Sequence, residues 1–414
     1  MKHLQIILLT FLLLFSSTGS EIYARDGGKE ARLQRKAARI HASALTIDSH
    51  NDTPMWFTDT SFNFGVNHKG TQHSNRVDIP RMEEGGLDAA FFAVFVGQGD
   101  RTPAGNGKAL NNALNTFDAI HQSVMRNSMK SAIATRSSDA RELEKEGKRA
   151  VFIGLENGYP LGSDLSNVER FYSLGARYIT LCHTRNNDIC DASTDSTEHN
   201  GITAFGKQVV QEMNRLGMMI DVSHISDKSF FDALELSRTP VIASHSCSRA
   251  LCDNPRNLSD DMLKALALKG GVIQMCILSS YVKTPPPNPQ RDSAQQALRK
   301  KYNGFRDLSE DEMTRARHEW YETDEKYPQV LATVSDVVDH IDHIVKVAGI
   351  RHVGIGTDFD GGGAVSGCEN VSEMGNITLE LVRRGYSRRE IKLIWGGNLL
   401  RVMRAVEQYS VIHS

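Results

Sequence analysis

The sequence predicts an α/β fold, a (β/α)8 barrel of the TIM type, and two observations carry this prediction. Short runs that are apolar on both faces alternate with amphipathic stretches, which is the pattern of parallel strands covered by helices. Polar side chains follow nearly every run, as expected where the carboxyl ends of barrel strands converge on one mouth. An open doubly wound sheet would spread these side chains along an edge. The eight runs lie at 44–48, 88–97, 150–156, 177–183, 218–224, 240–246, 271–277 and 352–360.

The N-terminal segment has a basic start, an apolar core at residues 6–15 and a small polar end. This pattern is typical of a secretory signal peptide, and the core is shorter than the about 20 residues that span a bilayer. The sequence therefore predicts a signal peptide over residues 1–24, cleaved after Ser20 or Ala24, and an exported chain that is periplasmic or secreted. An uncleaved N-terminal anchor is the alternative. The C-terminus lacks the apolar tail of a GPI signal, so no stable membrane anchor is expected in the mature chain.

The first and third runs end on groups that suit a metal. His50 and Asp52 follow the first run, and alternate side chains of a strand share a face, so both can lean into one space. A solvated strand end would give the same pattern. The third run ends on Glu156. Burying a carboxylate there without a partner would be costly, whereas two cations could share its two oxygens.

Three later runs end on histidine, and neutral imidazole is a common zinc ligand. His183 ends the fourth run, His224 the fifth, and His245 lies at the end of the sixth. Any one of them alone is more often a hydrogen-bonded core residue. Three histidines and two carboxylates at one rim instead indicate a metal site, and this set is His50, Asp52, Glu156, His224 and His245. The eighth run carries two further carboxylates, Asp358 and Asp360.

The connections contain two helices with one buried face, at 167–176 and 204–217, the second ending at Gly217. Two segments depart from the alternation. Residues 98–149 are long for one crossover. Residues 283–330 follow the seventh run, begin with several prolines and continue into a charged, helix-prone stretch. This insertion is either a disordered surface excursion or a partial lid over the mouth. We expect one domain over residues 25–414.

Composition excludes some classes of function. The chain of 414 residues has 48 basic and 50 acidic residues, a formal net charge of -2, and no charge run that suggests nucleic-acid binding. The six cysteines form no C-x-x-C pair, which argues against a structural zinc knuckle. Cys247 and Cys252 could pair in an exported chain, but sequence does not decide this. His340 and His343 stand at helical spacing before the eighth run and are interpreted as outer-layer surface residues.

Six motifs also carry a resemblance. The stretches DSHNDTP, GLENG, LCHTRNN, IDVSH, VIASHS and GIGTDFDG occur in the order found in the membrane (renal) dipeptidases, peptidase family M19 of the amidohydrolase superfamily. The similarity runs from about His50 to the closing GGNLLRVMRAVEQ. It implies a (β/α)8 barrel that binds two zinc ions. The implied activity is the hydrolysis of dipeptides, and no nucleic acid is expected as a partner.

The resemblance also implies roles for the metal ligands. His50 and Asp52 would bind one zinc ion, His224 and His245 the other, and Glu156 would bridge the two. A hydroxide shared by the two ions would attack the peptide carbonyl.

Three further residues match positions that handle the substrate in the family. His183 would donate to the carbonyl oxygen as it becomes an oxyanion, and Arg256 would pair with the C-terminal carboxylate of the dipeptide. Asp358 would carry the proton from the nucleophile to the leaving amine. Asp360, on the same face two residues on, is the alternative proton carrier.

The chain departs from the mammalian members in ways that leave the substrate open. Thr53 stands where those usually have leucine, and the insertion after the seventh run is longer. One alternative function is therefore an amidohydrolase that opens a β-lactam, a lactone or another cyclic amide at the same centre. A second is an exported zinc-binding protein without catalysis. A homodimer is an open alternative to a monomer.

Overall fold

Nine parallel strands carry the fold in the described part of the chain. The computed structural model describes residues 28–71, 75–305 and 308–413, so the predicted signal peptide lies outside the described residues. The strands are β1 (Ile47–Asn51), β2 (Ala89–Phe95), β3 (Ser131–Ile133), β4 (Arg149–Glu156), β5 (Ala176–Thr180), β6 (Met219–Asp221), β7 (Ile242–Ser246), β8 (Val272–Met275) and β9 (Val353–Ile355).

Eight of these strands form a nearly closed barrel, which confirms the predicted fold class. Their order is β1-β2-β4-β5-β6-β7-β8-β9, and each of the eight predicted runs overlaps one of them, with the first run shifted by three residues from β1. The backbone N–H of Asp358 donates to the carbonyl of His50 at 2.9 Å, and that of Asp52 to the carbonyl of Phe359 at 2.8 Å. These bonds join the carboxyl ends of β1 and β9. The short β3, which pairs with the start of β4 outside this order, was not predicted.

Helices fill the connections between the strands. They are α1 (28–41), α2 (Ile79–Gly85), α3 (Pro103–Arg126), α4 (Asp139–Lys145), α5 (Ser166–Ser173), α6 (Ala204–Leu216), α7 (Asp227–Leu236), α8 (Asp260–Leu268), α9 (Ser279–Val282), α10 (Pro289–Lys301), α11 (Glu310–Lys326), α12 (Val334–Ala348), α13 (Gly375–Arg383), α14 (Arg388–Lys392) and α15 (Asn398–His413). The helix α6 begins where the Thr203 side chain accepts from the backbone of Gly206 and ends at Gly217, whose φ is 77°. Glycine adopts this left-handed conformation without strain, so the predicted helix stop is confirmed.

The core has two parts, one inside the barrel and one between the barrel and its helices. Inside, Phe91, Phe152 and Tyr178 are fully buried and pack with Leu399 and Met403 of α15. Because this cluster also contains the first residues of several strands, α15 closes the amino end of the barrel. The carboxyl ends are left free to form the site.

The two long connections are helical. Residues 98–149 contain α3, β3 and α4. Residues 283–330 contain α10 and α11, which Arg291 ties together by donating to Asp324 at 2.9 Å. From α11, Arg317 donates to the carbonyl of Met55 at 2.7 Å, and Tyr321 stacks on Trp56 at 6.1 Å between centroids. The α10–α11 hairpin thus lies against the segment that directly follows Asp52.

The expectation that His340 is a surface residue was wrong. Its side chain is 1% exposed. Its Nδ1 accepts from the backbone of Ser248 at 3.1 Å, and its Nε2 donates to the carbonyl of Val282 at 2.8 Å. The buried stripe of α12, which packs on α8, includes this position, and the two backbone partners satisfy the imidazole there. His343 is half-buried and pairs with Asp260 at 2.7 Å.

All six cysteines are buried free thiols, so Cys247 and Cys252 do not pair. The thiol of Cys247 donates to the carbonyl of Cys276 at 3.2 Å. None of the helices in the described ranges is both long and apolar enough to cross a membrane.

Candidate metal centre

The carboxyl ends of the barrel strands bring the five predicted metal ligands together around Glu156. One carboxylate oxygen of Glu156 lies 3.6 Å from Nε2 of His50. The other oxygen lies 3.1 Å from Nε2 of His224 and 3.5 Å from Nε2 of His245. Nε2 of His50 is also 3.5 Å from Asp52. One oxygen of this buried carboxylate therefore faces the imidazole of His50, and the other faces those of His224 and His245.

Two residues predicted to handle the substrate lie within the same cluster. The potential ligand atoms of Glu156, His183 and His224 lie within 4.8 Å of one another, and so do those of His50, Asp52 and Asp358. A third such group joins His50 and Glu156 to His245, whose ring stacks on that of His50 at 3.8 Å. The predicted ligands, His183 and Asp358 thus form one continuous polar centre.

Buried side-chain atoms of two predicted ligands have no hydrogen-bond partner in the described chain: Nε2 of His50 and Oδ1 of Asp52. Leaving such an atom without a partner costs about 1–3 kcal/mol. Nε2 of His224 lies only 2.8 Å from Nε2 of His245. Burial lowers the pKa of both imidazoles well below the usual value, so both are neutral and present lone pairs. These atoms suit divalent cations, and zinc prefers such a set of nitrogen and oxygen donors.

His50 occupies the most negative part of the centre. Burial alone lowers its pKa, but Tyr178 and the carboxylates of Glu156 and Asp52 outweigh burial and raise the pKa well above its usual value. Burial, and then the charge of Glu156, raise the pKa of Asp52. Two buried carboxylates with one shared imidazole thus favour positive charge between them, which a metal cation supplies.

Two of the histidines are oriented by hydrogen bonds to hydroxyl groups that were not predicted from the sequence. Nδ1 of His50 is hydrogen-bonded to the hydroxyl of Tyr178 at 2.8 Å. Nδ1 of His245 is hydrogen-bonded to the hydroxyl of Ser244 at 2.8 Å, which in turn donates to buried Asp221 at 2.6 Å. In both rings the bonded nitrogen points away from the centre and Nε2 points into it, as is usual for imidazoles that bind metals.

The backbone is strained at two residues of the centre. His224 has φ 70° and Asp358 has φ 61°, both in the left-handed region that non-glycine residues rarely adopt. Such conformations cost about 1–3 kcal/mol each and occur where surrounding structure enforces them, often at functional sites. At Asp358, the backbone of Gly363 donates to its carbonyl at 2.7 Å. In these conformations the side chain of His224 lies next to Glu156, and that of Asp358 lies next to Asp52.

The predicted substrate residues differ in exposure. The His183 side chain is 21% exposed, and burial together with Arg256 lowers its pKa to about 3, so its imidazole is neutral. Arg256 is 3% exposed and donates to the carbonyl of His245 at 3.1 Å. Its Nε has no partner in the described chain, and its guanidinium lies 5.3 Å from the ring centroid of Tyr281. A buried cation with an unused donor at this mouth is suited to an anionic ligand group.

The two carboxylates after β9 have different surroundings. Asp360 accepts from the hydroxyl of Thr53 at 2.7 Å and from the backbone of Arg76 at 2.7 Å. Asp358 lies with His50 and Asp52 in the metal cluster. Burial raises its pKa well above the usual value. Of the two, Asp358 faces the centre, whereas Asp360 holds a loop.

Several known proteins are similar to this chain in sequence. The family described as membrane dipeptidase (peptidase family M19) matches residues 34–413. Dipeptidase 3 of Macaca fascicularis is 33% identical over 390 residues, which cover 92% of this chain and 69% of that protein. Dipeptidase verJ of Clonostachys rogersoniana is 31% identical over 388 residues, which cover 91% of this chain and 88% of that protein.

A solved structure has the same fold. The probable dipeptidase PvdM from Pseudomonas aeruginosa superposes with a TM-score of 0.77 and 32% identity, covering 92% of this chain and 99% of that one. Because the family match extends over nearly the whole barrel and over every residue of the centre, this chain belongs to the membrane dipeptidase family, peptidase family M19, and is by that membership a metal-dependent dipeptidase.

Proposed function

We propose that the chain is an exported dipeptidase that binds two zinc ions and cleaves the peptide bond of free dipeptides. The proposal rests on the position of the Glu156 carboxylate, which has one oxygen towards His50 and the other towards His224 and His245. A carboxylate placed between two sets of nitrogen donors is suited to bridging two cations. His50 and Asp52 would hold one ion, and His224 and His245 the other.

When bound, the zinc ions supply a Lewis acid that polarises the scissile carbonyl and activates a water molecule for attack. The residues of the chain orient the substrate and move protons. His183 is neutral, so one of its ring nitrogens carries a proton that it can donate to the carbonyl oxygen as negative charge develops there. One such donor contributes about 3 kcal/mol to catalysis in comparable sites.

We assign the remaining two roles, binding of the substrate carboxylate and proton transfer, to Arg256 and Asp358. The guanidinium of Arg256 has an Nε that no other group in the described chain uses, and we assign it to the C-terminal carboxylate of the dipeptide. Asp358 lies in the cluster with His50 and Asp52. From there it can take a proton from the attacking water and return it to the departing amine.

Metal analysis and a dipeptide-library assay on one preparation test the proposal. We expect two zinc ions per chain, hydrolysis of several free dipeptides, loss of activity on chelation and its return with zinc. Full activity after the metal is stripped out would disprove a metal mechanism. The variant Glu156→Gln keeps the shape of the side chain but removes its charge, and it should bind fewer metal ions than the parent.

The same centre could instead open a cyclic amide such as a β-lactam, or a cyclic ester such as a lactone, and the buried side chain of Arg256 discriminates between the two functions. Arg256 is needed for a substrate with a free carboxylate beside the scissile bond and is dispensable for an unsubstituted lactone. Metal-loaded protein that turns over lactones but no dipeptide would favour this second function. Protein that binds zinc and is inert toward both classes would favour a role without catalysis.

A further inference from the structure

A group of basic side chains lies at the amino end of the barrel, opposite the mouth that carries the metal centre. Its first part is on one side of α1 and consists of Lys29, Arg32, Arg35, Lys36 and Arg39. At the spacing of an α-helix these five fall within an arc of roughly 120°. All five are exposed, whereas Ile40 on the neighbouring apolar stripe is buried.

Other elements extend this group. Arg388, Arg389 and Lys392 of α14 and Arg141 of α4 line a cavity of about 540 Å³. The α1 side chains line a second cavity of about 790 Å³, and Arg388 borders both. Leu45 and Leu400 form part of the floor of the first cavity, which places it at the amino ends of the strands. We call the nine basic side chains the basic face.

Most positive charges of the basic face have no ion-pair partner in the described chain. Arg141 pairs with Glu144 at 3.1 Å. Within the described ranges, the other eight side chains have no carboxylate within ion-pairing distance. The whole chain has a net charge of -2, so this is a local concentration of charge and not an effect of composition. Uncompensated like charges repel one another and attract an extended anionic partner.

We propose that the basic face binds the anionic phospholipid headgroups of a membrane surface. The choice of partner rests on the export proposed above, because an exported chain meets phospholipid. The apolar stripe of α1 packs into the core of the protein, so the helix offers the membrane its basic side alone, and each basic residue near an anionic surface contributes about 1 kcal/mol to binding. Bound in this way, the barrel presents its mouth to the dipeptides in solution.

Co-sedimentation with vesicles tests the proposal on the protein as processed and purified from its host. We expect little binding to vesicles of phosphatidylcholine alone and clear binding when phosphatidylglycerol replaces part of it. The binding should weaken as salt is raised, since exposed charges are screened within about 10 Å at 0.1 M ionic strength.

A charge-removing variant and a matched control locate the binding surface. The test variant carries Arg32→Gln, Arg35→Gln, Lys36→Gln and Arg39→Gln. The control variant loses the same number of charges from exposed positions on other helices and carries Lys207→Gln, Lys264→Gln, Lys300→Gln and Lys326→Gln. Each basic residue near an anionic surface changes binding by about fivefold, so the test variant should bind several hundredfold more weakly and the control nearly as the parent.

Measuring dipeptide hydrolysis on the same variants distinguishes a failure of the membrane-binding proposal from a failure of the proposed function. The basic face lies away from the metal centre, so parent, test variant and control should be equally active on soluble dipeptides. If the α1 variant does not fold, the double variant Arg388→Gln, Arg389→Gln supplies the same comparison. Equal binding of the parent to both kinds of vesicle, equal losses in test and control variants, or tighter binding to a short DNA duplex than to vesicles would overturn the proposal.

Discussion

The hydroxyl of Tyr178 lies 2.8 Å from Nδ1 of His50, inside the barrel and away from solvent. Its ring crosses the barrel directly over Gly154, where a Cβ atom would lie 2.0 Å from it. Because Nδ1 is engaged, Nε2 of His50 is the nitrogen that faces Asp52 and Glu156. Tyr178, which is outside the proposed ligand set, thus fixes the orientation of His50, which we propose as a metal ligand.

Replacing Tyr178 with phenylalanine should weaken metal binding without unfolding the barrel. The ring still fills its space, but the imidazole of His50 loses the partner that holds it. Loss of such an outer partner typically lowers metal affinity by about 10–100-fold. Competition with a chelator measures the affinity. Tyr172→Phe, on the outer helix α5, is the matched control and should retain the affinity of the parent. Equal affinities of parent and Tyr178→Phe would show that this hydrogen bond does not position His50.

A methyl group at Gly154 should have a larger effect than removal of the tyrosine hydroxyl. Gly154→Ala forces the ring of Tyr178 to move within a fully buried cluster, and overpacking of this kind costs about 1–3 kcal/mol. We expect a lower free energy of unfolding and weaker metal binding together. Gly97→Ala is the control, because a Cβ atom there would meet nothing within 4 Å. A fully stable Gly154→Ala that binds metal as the parent does would mean that the tyrosine ring can relocate freely.

The difference between what could and could not be predicted from sequence is visible at these residues. The barrel and the place of Glu156 follow from local patterns, since each apolar run is a strand and the polar residue after it lies at the rim. The bond between Tyr178 and His50 joins residues 128 positions apart. Only the closure of the barrel brings them together, and no periodicity in the sequence reports it.

Buried histidines show the same limit. The pattern of α12 correctly places residue 340 on a helix, but helical spacing alone does not say whether neighbouring backbone groups can satisfy an imidazole. The carbonyl of Val282, at the end of α9, and the N–H of Ser248, just after β7, do so, and both are distant from residue 340 along the chain. Similarly, β3 has the sequence Ser-Ala-Ile and belongs to no longer apolar run, whereas β6 and β9, which are equally short, lie within such runs.

Removal of the guanidinium of Arg256 should impair the hydrolysis of free dipeptides and spare that of substrates without a carboxylate. We expect Arg256→Lys to raise KM strongly, because an ammonium cannot reproduce the paired donors of a guanidinium. Steady-state kinetics with a dipeptide and with the corresponding dipeptide amide measure this difference. Metal content should stay at the parental level. If both substrates are affected equally, Arg256 acts on the centre itself and not on the carboxylate.

The contact between α11 and the segment after Asp52 should influence substrate binding. Arg317 donates to the carbonyl of Met55, and a hydrogen bond from a charged donor contributes about 1.5–3 kcal/mol. Arg317→Gln should therefore raise KM for dipeptides and lower the free energy of unfolding, while metal content is unchanged. Arg315→Gln, an exposed position on the same helix, is the control. Unchanged KM in Arg317→Gln would show that the α10–α11 hairpin does not restrict the mouth.

His340 should make the stability of the barrel depend on pH. Burial lowers its pKa in the folded chain, so the folded chain binds fewer protons than the unfolded chain below the usual histidine pKa of about 6.5. Its contribution is therefore complete above that pH and is lost as the pH falls. His340→Gln removes the titrating group, and its free energy of unfolding should decline less between pH 7.5 and pH 5 than that of the parent, with metal chelated in both. Urea denaturation at each pH measures the two declines. Parallel declines would mean that His340 takes up no proton on unfolding and that other buried groups govern the acid sensitivity.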